Sequence, residues 1–216
     1  MKIIGVNGSP RKGWNTHLLV TEALQGAASK GAETELIHLY DLRFRGCVSC
    51  FACKQKKNPG HCAFADELLP VLGAIDRCDG LILGSPLYIG DVTSSMRAFI
   101  ERLMFQYITY RKDGGTFFKR GIPVLSIYTM NVSGEGMRQN GYEEKFTFYE
   151  GGYNHLLGGP AQTMVVTETL QTDDYGKYEM SMFDAATRKK RRDEIFPQDL
   201  QKAFQMGARL THGAAV

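Results

Sequence analysis

Two stretches of this 216-residue chain bring together residue types that can do chemistry. The first is Gly5-Val6-Asn7-Gly8-Ser9-Pro10-Arg11-Lys12-Gly13-Trp14-Asn15-Thr16-His17. It lies between a short apolar run, Lys2 to Val6, and a helical pattern from about Thr16 to Lys30. A strand-to-helix turn of this kind attracts anions, because free backbone N–H groups and the positive end of the helix dipole both point into it. Ser9, Asn15 and Thr16 add side-chain donors, and Arg11 and Lys12 add positive charge. The loop therefore reads as a phosphate cradle; an ordinary polar turn has no need of so many donors and cations. A Rossmann fingerprint, G-x-G-x-x-G, requires other glycine spacing. A Walker A loop would match at Gly8 and Gly13, but Trp14 and Asn15 stand where its lysine and hydroxyl residue must be. What remains is a single terminal phosphate, of the kind FMN carries.

The second stretch is Cys47-x-x-Cys50-x-x-Cys53 with Cys62 further on. In a reducing compartment, such crowding points to metal or redox chemistry before structural disulfides. Four thiolates close in sequence can hold a [4Fe–4S] cluster. Zinc and free thiols are the other readings. Lys54, Lys56 and Lys57 lie inside the loop and are expected to lower the thiolate pKa values. Cys78 reads as a small buried residue.

A third segment, Ser85-Pro86-Leu87-Tyr88-Ile89-Gly90, follows the apolar run Gly80 to Gly84. Pro86 stiffens the turn, Tyr88 offers an aromatic surface and Gly90 permits close backbone approach. A flavin ring needs a flat slot with backbone N–H groups along its polar edge.

The elements that must position these stretches follow from periodicity. Strands are expected at Lys2–Val6, Glu33–Leu39, Gly80–Gly84, Ile122–Tyr128 and Thr163–Thr167, with helices between them. Asp66 is expected to cap a helix carrying Leu68, Leu72 and Ile75. Met96, Phe99, Ile100, Leu103 and Met104 recur at helical spacing and read as core. A final helix after Pro197 is expected to bury Leu200, Ala203, Phe204 and Gly207. Alternating strands and helices give an α/β fold, a doubly wound five-stranded parallel sheet with helices on both faces, in flavodoxin-like order. Such sheets bind ligands at the carboxyl ends of the strands, where the first loop, the loop after Ser85 and the loop after Tyr128 converge.

The formal net charge is +3, which suggests neither a nucleic-acid partner nor a membrane surface. No apolar run is long enough to span a bilayer, and the N-terminus shows no signal-peptide pattern, so a cytoplasmic location is expected. The chain reads as one domain over residues 1–216, with a cysteine-rich loop at about 43–65 and an excursion at about 171–196. The basic run Arg188-Lys189-Lys190-Arg191-Arg192 in that excursion reads as a solvated helix face or a subunit contact.

Together, Asn7-Gly8-Ser9-Pro10-Arg11, Asn15-Thr16, Gly84-Ser85-Pro86-Leu87-Tyr88 and Met96-Arg97-Ala98-Phe99-Ile100-Glu101-Arg102 resemble the NAD(P)H-dependent FMN reductase and iron–sulfur flavoprotein family. The resemblance covers about residues 1–130 and continues weakly to the last helix. It implies a flavodoxin-like fold, FMN, and a homodimer or homotetramer with flavin sites near subunit contacts. It assigns Ser9, Arg11, Asn15, Thr16 and His17 to the FMN phosphate, with Lys12 beside them as a further cation. Pro86, Leu87, Tyr88, Ile89 and Gly90 would line the ring. Cys47, Cys50, Cys53 and Cys62 would be the cluster ligands. Trp14 departs from the family's usual small residue, and the interval from Cys53 to Cys62 is longer than usual. The expected function is an FMN-dependent oxidoreductase that takes hydride from NAD(P)H and reduces a small-molecule acceptor: a quinone, a flavin, or a nitro or azo compound. The alternative is an iron–sulfur flavoprotein relaying electrons between a ferredoxin-like partner and FMN through a [4Fe–4S] cluster.

Overall fold

The computed structural model describes residues 1–112 and 114–212. Its centre is a parallel sheet of β1 (Lys2–Asn7), β2 (Glu33–His38), β3 (Gly80–Tyr88), β5 (Ile122–Thr129) and β6 (Gly158–Val166), in the order β2-β1-β3-β5-β6. A two-residue strand, β4 (Asp91–Val92), turns back antiparallel on the end of β3. This is the doubly wound, flavodoxin-like order expected from the alternating pattern. The strands in the middle of the sheet are buried on both faces, as their unbroken apolar runs require.

Helix α1 (Asn15–Ala28) and helix α7 (Phe196–Arg209) cover one face. Helices α2 (Leu69–Ile75), α3 (Ser94–Tyr107) and α5 (Tyr142–Leu157) cover the other. A short α4 (Gly134–Gln139) and a charged α6 (Ala185–Glu194) complete the elements that matter here. Helices α1 and α7 cross closely because Gly26 and Gly207 meet there. A Cβ at either position would run into the other helix's backbone, at Phe204 or Ala23.

Several boundaries differ from expectation. β3 does not stop at Gly84 but runs through Pro86 to Tyr88, because Ser85 and Pro86 still pair with Tyr128 and Thr129 of β5. β6 begins at Gly158, ahead of the expected Thr163. The side chain of Asn154 there accepts from Ala161 N–H, bracing the irregular start of the strand. Asp66 sits ahead of α2, not at its N-cap; its carboxylate accepts from Leu68 N–H at 3.1 Å and pairs with Arg102 through the other oxygen. Met104, Leu200 and Phe204 are half-buried, so the core stripes of α3 and α7 are narrower at these points than their periodicity suggests. Cys78 is fully buried, as expected.

Candidate functional site

The first loop is shaped by Asn7 at the end of β1. Its side-chain oxygen accepts from Ser9 N–H at 3.1 Å, and the residue is fully buried. Gly8 N–H donates to the Gly84 carbonyl at 2.7 Å, which ties the loop to β3. Thr93 closes the arrangement from below. Its hydroxyl donates to the Gly8 carbonyl at 2.7 Å and accepts from Met96 N–H, capping α3 at the same time. Neither Asn7 nor Thr93 stood out in the sequence as a site residue, yet both fix where the loop points.

Helix α1 starts immediately after the loop. Its N-cap residue, Trp14, supplies no side-chain acceptor, and no acidic residue occupies the first turn. The positive end of the helix therefore faces the cleft unneutralised. This cleft has a volume of about 270 Å³, close to the lower end of the roughly 300–1,000 Å³ usual for small-molecule sites. Ser9, Arg11, Asn15 and Thr16 line one end, and Pro86, Leu87 and Tyr88 line another. The remaining wall comes from Thr129 to Asn131, Thr169 to Gln171, and Met180.

Polar contacts tie the walls of this cleft to one another. Thr16 and Thr129 share a hydroxyl–hydroxyl hydrogen bond of 2.8 Å across it. The Asn15 side chain donates to the Leu170 carbonyl at 2.8 Å and accepts from Arg192 Nη1 at 2.7 Å. Arg192 belongs to the basic run, so part of that run positions the first loop and is not merely solvated. Arg11 lies 3.7 Å over the Trp14 ring and donates to the Gln171 carbonyl at 2.6 Å. Trp14 thus serves as a platform for the arginine. Burial raises the Tyr88 pKa, with the Tyr40 hydroxyl adding to it and the charge of Arg11 opposing it.

Four expected residues sit outside the cleft lining. Lys12 pairs with Asp41 at 2.6 Å. His17 accepts from Gly13 N–H through Nδ1 at 2.5 Å and packs edge-on against His38. Ile89 and Gly90 form the two-residue turn between β3 and β4, both with positive φ, the pattern of a tight hairpin turn. Ile89 is fully exposed at its tip, and a β-branched residue in that conformation is strained.

Two observations bear on whether FMN fits. The cleft offers an uncapped helix N-terminus, hydroxyls and an arginine at one end and a proline–leucine–tyrosine strip at the other. In addition, Gln171 Oε1 in the cleft wall is buried and has no hydrogen-bond partner, so a ligand donor would satisfy it. The donor set fits a phosphate joined to a flat, polar-edged ring.

The four clustered cysteines line one further cavity, together with Arg102, Phe105 and Gln106 of α3. Left-handed backbone at Ser49 and Phe51 folds the Cys47–Cys53 segment back on itself. Cys47 and Cys50 are exposed, Cys62 is half-buried and Cys53 is buried. Burial pushes the Cys53 thiol above its ordinary value, and the charge of Lys54 only partly offsets this. Lys54 does act in the expected direction, but the expected net lowering is corrected at Cys53, where burial outweighs the lysine's charge. The Lys54 ammonium caps the C-terminal end of α3 by donating to the carbonyls of Phe105, Gln106 and Ile108, and Lys56 and Lys57 are exposed. Among the described residues, no three Cys, His, Asp or Glu side chains converge closely enough for one metal ion. What the cavity does bring to one place is the four-cysteine donor set that a [4Fe–4S] cluster takes.

Comparison with known proteins gives the family. The model for NADPH-dependent FMN reductase matches residues 1–140. An iron–sulfur flavoprotein of Methanocaldococcus jannaschii is 42% identical over 102 residues, covering 47% of this chain and 51% of that protein. The chain thus spans about half the length of the curated iron–sulfur flavoproteins it matches. A putative NAD(P)H-dependent FMN-containing oxidoreductase of Bacillus subtilis is 23% identical over 90% of this chain and all of that protein. Among solved structures, an NAD(P)H:quinone oxidoreductase from Methanothermobacter marburgensis superposes with a TM-score of 0.72 at 16% identity, covering 97% of this chain and 98% of that one.

Proposed function

The chain belongs to the NADPH-dependent FMN reductase family, and from that premise we propose that it is an oxidoreductase holding FMN in the cleft between the first loop, the end of β3 and the segment after β6. It takes hydride from NAD(P)H and delivers electrons to a quinone, a free flavin, or a nitro or azo compound. The observation that carries this reading is the convergence in one cleft of an uncapped helix N-terminus, Arg11 and the Pro86–Tyr88 strip.

FMN, when bound, supplies the hydride and electron chemistry, so the chain's own task is to bind, orient and exclude water. Arg11, Ser9 and the first turn of α1 hold the phosphate. Thr16 and Thr129 keep the two sides of the cleft in register. Pro86, Leu87 and Tyr88 support the ring, Ile89 and Gly90 close its outer edge, and Gln171 Oε1 accepts from a ring N–H. Lys12 and His17 act from behind the loop, through charge and through the Gly13 N–H contact. In this reading the chain is one FMN-binding unit, with a cysteine-rich loop at 43–65 and an excursion at 171–196. It works as a homodimer or homotetramer in the cytoplasm, without nucleic-acid or membrane partners.

The cysteine cavity favours a second reading, in which Cys47, Cys50, Cys53 and Cys62 hold a [4Fe–4S] cluster and a ferredoxin-like protein exchanges electrons with the chain. Anaerobic mixing of the FMN-loaded protein with NADPH or NADH separates the two. Fast loss of flavin absorbance with a nicotinamide donor supports direct reduction. Reduction by a reduced ferredoxin alone rejects the first reading in favour of the relay.

A further inference from the structure

Helix α3 presents two buried polar side chains, one turn apart, to the cavity of the cysteines. Arg102 and Gln106 are each 2% exposed, and both line it. Positions i and i+4 share a helix face, so both project from α3 toward the cysteine-rich loop. They are the two polar members of the buried face of α3, beside Met96, Phe99, Ile100 and Leu103.

Their hydrogen bonds are incomplete in a particular way. Arg102 Nη1 donates to Asp66 Oδ2 at 2.5 Å, which balances its charge. Nη2 donates to the Phe64 carbonyl at 3.1 Å and to Cys62 Sγ at 3.5 Å. Nε, on the same edge of the guanidinium as Nη2, is buried without a partner. Gln106 Oε1 accepts from Cys62 N–H at 3.1 Å, while its Nε2 is also buried without a partner. Native proteins rarely leave buried donors unpaired, and two of them around the same cysteine call for a common acceptor. Sulfur is the acceptor chemistry this cavity offers: thiolate and bridging sulfide both take N–H hydrogen bonds.

Building on the cluster reading above, we propose that Arg102 and Gln106 are positioning residues that donate hydrogen bonds to the sulfur atoms of the cluster at Cys62 and thereby set its reduction potential. One-electron reduction adds a negative charge and takes up no proton. Donors aimed at the sulfurs stabilise the reduced form more than the oxidised form, which raises the potential. Arg102 contributes its fork as well as its charge, and a lysine would keep only the charge.

The test uses the full chain, anaerobically purified and reconstituted with iron and sulfide, as wild type, Arg102→Lys and Gln106→Met. Iron and acid-labile sulfide are assayed first, and the midpoint potential is then read by EPR during titration with dithionite. The expected result is equal iron and sulfide in all three, with a lower midpoint in both variants. Gln106→Met leaves the Arg102–Asp66 pair intact, so it carries the test if Arg102→Lys does not fold. A loaded cluster whose potential is unchanged in a folded variant overturns the role of that residue while leaving the cluster reading standing. A wild type that takes up no iron overturns both.

Discussion

Arg11→Ala tests the phosphate end of the cleft. The guanidinium stacks 3.7 Å over Trp14 and donates to the Gln171 carbonyl at 2.6 Å, so it is held in place before any ligand arrives. A hydrogen bond involving a charged group contributes about 1.5–3 kcal/mol. Arg11 is exposed, and competition with water puts its contribution at the low end, about 1.5–2 kcal/mol. At one decade per 1.4 kcal/mol, FMN binding should weaken roughly 10- to 30-fold. The assay is quenching of flavin fluorescence, run in parallel with FMN and with riboflavin, which has the same ring and no phosphate. The variant should lose affinity for FMN and keep its affinity for riboflavin, and added salt should narrow the gap between the two ligands in the wild type. Equal losses for both ligands would place Arg11 at the ring or in the folding of the 169–171 segment. No loss for either would refute the phosphate assignment.

Further predictions come from other parts of the molecule. Gly207→Ala forces a methyl group into the Ala23 backbone at the α1–α7 crossing; it should destabilise by about 1–3 kcal/mol or more, seen as a lower urea midpoint at unchanged m. Ile89→Gly relieves a strained turn residue and should stabilise by about 1 kcal/mol while weakening flavin binding. A rise in Tm with undiminished FMN affinity would remove Ile89 from the ring site. Burial, followed by the charge of Lys12, holds the His17 pKa below 6.5; burial and then His17 hold that of His38 below the same value. The unfolded chain therefore binds more protons than the folded one just below this pH. The stability these histidines contribute is fully present above about 6.5 and is lost as pH falls through the lowered values. Denaturant unfolding between pH 7.5 and 5 should show this slope, and His38→Gln should flatten it.

Much of this architecture could be read from local patterns. The first loop, the buried runs of β1, β3 and β5 and the apolar stripe of α3 are signals of spacing within one segment. What escaped the reading depends on distant pairing. Ser85-Pro86 and Gly158-Gly159-Pro160 look like breaks, but β5 pairs with Ser85 and Pro86 directly, and with Gly158 and Ala161 across an irregularity that absorbs Gly159 and Pro160. Pro86 is tolerated near the strand's end, where a ladder donor can be spared. The far wall of the cleft, Thr169 to Gln171, meets Asn15 and Arg11 across more than 150 residues, and no periodicity reports such a contact. Arg102 and Gln106 did leave a trace. They are polar residues at core positions of an otherwise apolar helical stripe, and a charge there requires a buried partner or a ligand.

The central claim is that the cleft at the first loop holds FMN. Its most direct test is an absorption spectrum of the protein after incubation with FMN and removal of the excess by gel filtration, with flavin and protein quantified on the same sample. The account predicts flavin bands at one FMN per chain, lost in parallel when Arg11 and Thr16 are both replaced by alanine. A colourless protein, or flavin retained undiminished by the double variant, would contradict it.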